Sequence, residues 1–150
     1  MVLHQDYKEL LILLNDNNVE YLVVGAFALG FYGAPRNTGD IDIWIKVSEE
    51  NAVRMLKTLI EFGFSSLNLD KQTFLEKGTV LQLGYPPIRI DIITEISGVE
   101  FEDAYKKRIT LEKSDVKIDL ISKEDFIKNK KASGRLKDLA DIESLSKTLE

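Results

Sequence analysis

The sequence predicts an α+β fold built on a mixed β-sheet flanked by helices, with further helices at its C-terminal end. Three observations carry that prediction. Tyr7, Leu10, Leu11 and Leu14 fall at i, i+3, i+4 and i+7, the stripe of an amphipathic helix. From Asp40 to Val47 the residues Ile41, Ile43, Ile45 and Val47 alternate strictly with Asp40, Asp42, Trp44 and Lys46, the period of a strand with a β-branched face on a core. The remaining segments follow the order helix, strand, helix, strand, helix, strands, helices, which fits a mixed sheet better than a regular βαβ repeat.

In chain order, the first helix ends in the turn chemistry of Asn15-Asp16-Asn17-Asn18. Tyr21 to Val24 is a short continuous apolar run, read as a buried strand that stops at Gly25. Ala26 to Tyr32 reads as a short helix closed by Gly33 and Pro35. After the alternating strand, Ser48 offers an N-cap for a helix over about Glu49 to Phe62, with Ala52, Met55, Leu56, Leu59 and Ile60 inward and Gly63 at its end. Strands are expected at Thr79–Leu83, Ile88–Ile93, more weakly Ile109–Leu111, and Val116–Leu120. Ser122, with Asp125 three residues on, opens a helix toward Lys131. A last helix after Ser133-Gly134 carries Leu136, Leu139, Ala140, Ile142 and Leu145.

The 150 residues argue for one domain over 1–150, since a chain of this size buries about 68–70% of its unfolded surface without a disulfide or metal staple. Hydrophobic residues at 44% and charged residues at 30% exclude wholesale disorder. Cysteine is absent, so thiol nucleophiles and zinc–thiolate sites are excluded, and a lone histidine, His4, removes histidine-cluster metal sites. The run Leu10 to Leu14 is far too short to span a bilayer, and the start lacks a basic leader, so a cytoplasmic location is expected. A net charge of −5 disfavours general duplex binding. Part of that carboxylate excess can instead serve to hold a cation.

Asp40 and Asp42 stand two apart on one strand, so both side chains point to the same face about 6.5–7 Å apart. Placed this way they repel, which favours a positive partner between them. A hard divalent ion fits, because Mg²⁺ takes carboxylates together with substrate phosphates. The plainer account is that both decorate a solvated sheet face; aspartate is depleted in strands, however, and here two interrupt a strongly β-forming one. Two later segments offer a third acid in the same apolar setting: Asp91 within Ile90-Asp91-Ile92 and Asp119 within Ile118-Asp119-Leu120. Spacing alone does not separate them. An acid on the adjoining strand would come within about 5 Å of the pair, and three carboxylates around two Mg²⁺ ions about 3.5–4 Å apart suit in-line phosphoryl or nucleotidyl displacement.

Gly25, between strand and helix, is either an ordinary tight turn or a place where backbone N–H groups approach phosphate oxygens. Arg36 and Thr38 lead into the acidic strand and would reach the same mouth. The densest basic stretch, Lys123 to Lys137, either steers an anion or is a solvated face with local pairs such as Arg135 with Asp138 and Lys137 with Asp141.

Tyr21-Leu-Val-Val-Gly25-Ala-Phe-Ala28, then Gly33 and Arg36-Asn-Thr38-Gly-Asp40-Ile-Asp42-Ile, resemble the signature of the DNA polymerase β-type nucleotidyltransferase superfamily. More narrowly they resemble its small prokaryotic minimal nucleotidyltransferases, including those related to abortive-infection toxins. Asn129 to Asp141, with Lys130, Arg135, Asp138 and Asp141, resembles the C-terminal helix of that narrower group. The resemblance implies a Mg²⁺-dependent transfer of a nucleoside monophosphate from an NTP such as ATP to a hydroxyl acceptor, with release of pyrophosphate. It implies two metal ions, with Mn²⁺ as an alternative, held by Asp40, Asp42 and Asp91. It further implies nucleotide contacts from Gly25, Ala26, Arg36, Thr38, Lys130 and Arg135. RNA, a protein hydroxyl and a small molecule all stay open as acceptor. One departure is Ala26, where the superfamily has glycine or serine. It leaves room for a second reading: a catalytically idle fold serving as a binding protein, such as a toxin–antitoxin component with a partner protein.

Overall fold

A computed structural model of the chain describes residues 3–33 and 39–148. Six strands form one sheet in the order β3-β4-β2-β1-β6-β5. They are β1 (Tyr21–Val24), β2 (Asp40–Ile45), β3 (Val80–Leu83), β4 (Arg89–Ile93), β5 (Ile109–Lys113) and β6 (Val116–Leu120). β1 is antiparallel to β2 and parallel to β6, β2 is parallel to β4, and the outer strands β3 and β5 run antiparallel to their neighbours. The sheet is therefore mixed, as the order of elements predicts. One of its two central strands is the continuous apolar run: all four residues of β1 are buried.

Helix α1 (Gln5–Asp16) buries Tyr7, Leu10, Leu11 and Leu14, the expected stripe. The single histidine has a structural task here: His4 caps α1, its Nδ1 accepting the N–H of Asp6 at 3.0 Å. Helix α2 (Gly25–Phe31) follows β1 without a loop. Helix α3 (Glu49–Leu59) starts at Ser48, whose Oγ accepts the N–H of Asn51 at 3.2 Å. Asn51 is fully buried, which its amide tolerates because both ends are used. Its Oδ1 accepts from the Glu20 N–H, and its Nδ2 donates to the carbonyls of Glu20 and Lys46.

One expectation needs correction, and two further features lie beyond the sequence reading. The α3 helix does not continue regularly to Phe62; a π turn over Ile60–Phe64, with Gly63 at φ 113°, loosens it and leaves Ile60 about half exposed instead of inward. The face of β2 that carries Asp40 and Asp42 is not open along its whole length, because a short helix that periodicity did not reveal, α4 (Phe101–Lys106), covers its far end. Phe101 packs edge-on against Trp44 at 5.1 Å between centroids, and Trp44 is buried. Finally, the buried line of α6 (Leu136–Thr148) is Asp138, Asp141 and Leu145, whereas Leu136 and Leu139 face outward. The cause lies in the preceding helix α5 (Lys123–Ser133), which presents a buried lysine, Lys130, to those aspartates.

The weak strand at Ile109 is a full partner of β6. The two are joined at Ser114 and Asp115, both in the left-handed region at φ 53° and 64°, the conformation that tight hairpins require.

Candidate active site: three aspartates on two parallel strands

Parallel pairing sets the site. β2 and β4 lie in register with Asp40 opposite Arg89 and Asp42 opposite Asp91, so all four side chains emerge on one face of the sheet. Asp40, Asp42 and Asp91 each offer an oxygen within 4.8 Å of the others. Such a donor set, hard, anionic and convergent, fits a hard divalent cation. Asp119 is elsewhere. On β6, beyond β1, it accepts a hydrogen bond from Thr110 Oγ1 at 2.7 Å and lies 3.8 Å from Arg108 Nε. Geometry thus separates the two acids that spacing left equivalent.

Burial and mutual repulsion act together on the trio. Burial, then the neighbouring Asp40 and Asp91, pushes the Asp42 carboxyl up to about 7. Asp91 is also raised, by burial, although hydrogen bonds from Arg89 oppose the shift. Tyr7 reaches the same region from α1. Its hydroxyl donates to the carbonyls of Pro87 and Arg89, and burial followed by the negative field of Asp40 and Asp91 raises it to about 12.

Gly25 borders the trio. It has φ +70°, and a Cβ there would sit 2.1 Å from Asp42 Oδ2, so two independent constraints require glycine. Val24, just before it, is the register partner of Asp42, which explains the proximity. Ala26 is half-buried in the first turn of α2. Arg36 and Thr38 lie outside the described residues.

The C-terminal helices bring a second charged group. Lys130 is only 5% exposed, and its Nζ is 3.2 Å from Asp138 Oδ1 and 3.6 Å from Asp141 Oδ2. The lysine therefore ties α5 to α6 and does not present a free ammonium at the surface. Arg135 grips Asp138 through Nε at 2.7 Å and Nη2 at 3.2 Å, while its side chain stays 64% exposed. Hydrogen bonding to Asp138, with the negative fields of Asp138, Asp141 and Asp42, raises its guanidinium above the ordinary value. Burial alone would raise Asp138, but hydrogen bonds from Arg135 and Lys130 hold it below its ordinary value.

One residue at the centre of the site escaped the sequence reading. Arg89 donates from Nε to Asp91 Oδ1 at 2.9 Å and from Nη2 to Asp91 Oδ2 and Asp40 Oδ2, each at 3.0 Å. The available signal was a cation two positions before a lone acid in the same strand. A cavity of about 600 Å³ lies at the opposite end of β2 and β4, among Trp44, Lys46, Thr94, Glu95 and Phe101, and includes none of the three aspartates.

Comparison with known proteins gives the family and the fold. Residues 2–149 match the family described as nucleotidyltransferase of unknown function (DUF6036). The chain belongs to that family. Among solved structures it is similar to a protein from Thermotoga maritima provisionally described as a nucleotidyltransferase. Identity is 22% and the TM-score 0.59, over 94% of this chain and 88% of that one. It is also similar to an antigenic nucleotidyltransferase-like protein from Paracoccidioides brasiliensis, at 16% identity and a TM-score of 0.56, over 93% of this chain and 71% of the other. At such identities the two likenesses establish a shared fold. No curated protein matches the chain. Among the described residues no helix is long and apolar enough to cross a membrane.

Proposed function

We propose that this nucleotidyltransferase-family chain acts over residues 1–150 as one domain that transfers a nucleoside monophosphate from an NTP to a hydroxyl acceptor, with Mg²⁺ or Mn²⁺. The observation that carries the reading is the convergence of Asp40, Asp42 and Asp91 from adjacent strands beside Gly25. These carboxylates would hold the divalent ions, which when bound supply charge neutralisation for the triphosphate and acidify the acceptor hydroxyl. In the reaction the acceptor oxygen bonds to the α-phosphorus, the bond from that phosphorus to the β-bridging oxygen breaks, and pyrophosphate leaves. Asp91, the most buried of the trio, is suited to orient the acceptor hydroxyl and take its proton. The backbone of Gly25 and Ala26 lies on the side of Asp42, suited to the triphosphate, and Arg135 adds an exposed cation in the field of Asp42. With little covalent chemistry required of the protein, alignment and electrostatics do most of the catalysis.

Incubation of the chain with Mg²⁺, labelled ATP, GTP, CTP or UTP, and RNA, protein or small-molecule acceptors tests the reading. Label should transfer to one acceptor and vanish in Asp42→Asn. Absence of transfer together with absence of Mg-dependent NTP binding by calorimetry contradicts it.

A second reading has specific support in Ala26, which replaces the glycine or serine of the resembling superfamily. In that reading the fold is a non-catalytic binding partner, as in a toxin–antitoxin pair. Ala26→Ser separates the two: an active enzyme keeps or gains NTP affinity, whereas an idle fold stays inert.

A further inference from the structure

We propose that Arg89 is a resident counter-ion that occupies the cation position among the three aspartates, so that metal loading is an exchange in which the arginine is handed to the nucleotide phosphates. The inference rests on the reading of Asp40, Asp42 and Asp91 as the metal seat. Its own support is the hydrogen-bond pattern. The guanidinium forks onto both oxygens of Asp91 and reaches across to Asp40, at 2.9–3.0 Å throughout. Two of the three candidate ligands are thereby committed to one monovalent cation.

The arrangement follows from the strand. Arg89 and Asp91 are two apart on β4 and share a face, while Asp40 is the register partner of Arg89. Tyr7 and Gly39 fix the backbone at this position: the Tyr7 hydroxyl donates to the Arg89 carbonyl at 3.2 Å, and the Arg89 N–H donates to the Gly39 carbonyl at 3.0 Å. The side chain is 29% exposed, so it borders solvent as well as the aspartates. A bidentate, charge-assisted pair is strong enough to compete with a weakly held divalent ion. A free metal ion must break three hydrogen bonds and leave a guanidinium without an anion. A metal–NTP complex brings phosphate oxygens that accept the same donors. Metal alone is thus disfavoured, and metal with nucleotide is favoured, by one side chain. While the exchange has not occurred, Asp91 is also unavailable as a proton acceptor.

The test is Mn²⁺ binding by the full chain, followed by calorimetry and by the electron paramagnetic resonance of free Mn²⁺, with and without the α,β-methylene analogues of the four NTPs. Wild type, Arg89→Gln, Arg89→Lys and Asp42→Asn are compared after circular dichroism has checked folding. Without nucleotide, Arg89→Gln should bind Mn²⁺ about tenfold more tightly than wild type, the loss of one charge-assisted pair. The enhancement of Mn²⁺ affinity by the effective analogue should shrink by a similar factor. Arg89→Lys keeps the charge without the fork and should fall between; it carries the test if the glutamine variant does not fold. Equal or weaker Mn²⁺ affinity in both arginine variants overturns the proposal, and a wild type whose Mn²⁺ affinity no analogue improves overturns the hand-over. Mn²⁺ binding that survives Asp42→Asn means instead that the acids are not the metal seat. In that case the underlying reading fails, and the inference with it.

Discussion

Gly25 and Asp42 are so close that a single methyl group on the glycine would overlap the carboxylate, at 2.1 Å from Oδ2. The contact joins the start of α2 to the middle of β2 and leaves no slack for a side chain. We predict that Gly25→Ala lowers stability by about 2–4 kcal/mol, combining positive-φ strain with the displacement of Asp42. Urea denaturation measures this. Metal affinity should fall in parallel, because Asp42 is the group that must move. A variant as stable as wild type would mean that α2 and β2 are spaced more widely than described.

Asp42 makes stability depend on pH in an unusual direction. Its ordinary value is 3.8 and its folded value about 7, raised by burial and then by Asp40 and Asp91. Between those limits the folded protein retains a proton that the unfolded chain has released, so stability from this group is full below about pH 4 and is lost as pH rises toward and through 7. The slope is at most about 1.4 kcal/mol per pH unit. Unfolding in EDTA should therefore need less urea at pH 8 than at pH 5. Asp42→Asn should flatten the dependence, and Mg²⁺ together with a non-hydrolysable NTP analogue should restore the wild type at pH 8 but not the variant. Identical slopes in both proteins would show that Asp42 does not carry the effect.

Asp91 and Asp119 occupy similar sequence patterns and are expected to respond in opposite ways. Asp91→Asn removes a convergent carboxylate and should weaken Mn²⁺ binding by more than tenfold while the sheet stays intact. Asp119→Asn keeps an acceptor for Thr110 but removes the charge of a buried carboxylate that faces Arg108, so it should cost stability, about 1–3 kcal/mol. Mn²⁺ affinity should not change there. Thermal melts and metal titration on the two variants check the pair, and a metal defect in Asp119→Asn would reverse the assignment.

That contrast also marks what a linear reading can and cannot reach. Period-two alternation put Asp40 and Asp42 on one face, because in a strand the orientation of a side chain is a local property. The choice between Asp91 and Asp119 depends on which strand lies beside β2. Strand order is decided by packing over the whole chain, so no local pattern contains it. The same holds for α4, whose six residues are too few to display a helical period, and for Trp44, buried where Phe101 packs against it. The place of Arg89 and the enclosure of Lys130 escape a linear reading for a related reason. A charged residue reads as solvated until its partners are known, and those of Arg89 at Asp40 lie 49 residues away.

Lys130 and Arg135 share Asp138 yet should fail differently. Lys130 is enclosed, and its removal leaves Asp138 and Asp141 buried with one fewer cation. Lys130→Met is expected to cost about 3 kcal/mol, the scale for breaking a buried pair by deleting one partner. Arg135 holds Asp138 from the solvent side, so Arg135→Gln should cost only about 1 kcal/mol. Its effect should fall on nucleotide instead, as a KM for NTP raised several-fold with little change in unfolding midpoint. Denaturation and steady-state kinetics on both variants separate a lysine that fastens α5 to α6 from an arginine that meets substrate. If Lys130→Met were to leave stability unchanged and raise only KM, the ammonium would have to leave its aspartates and act at the nucleotide.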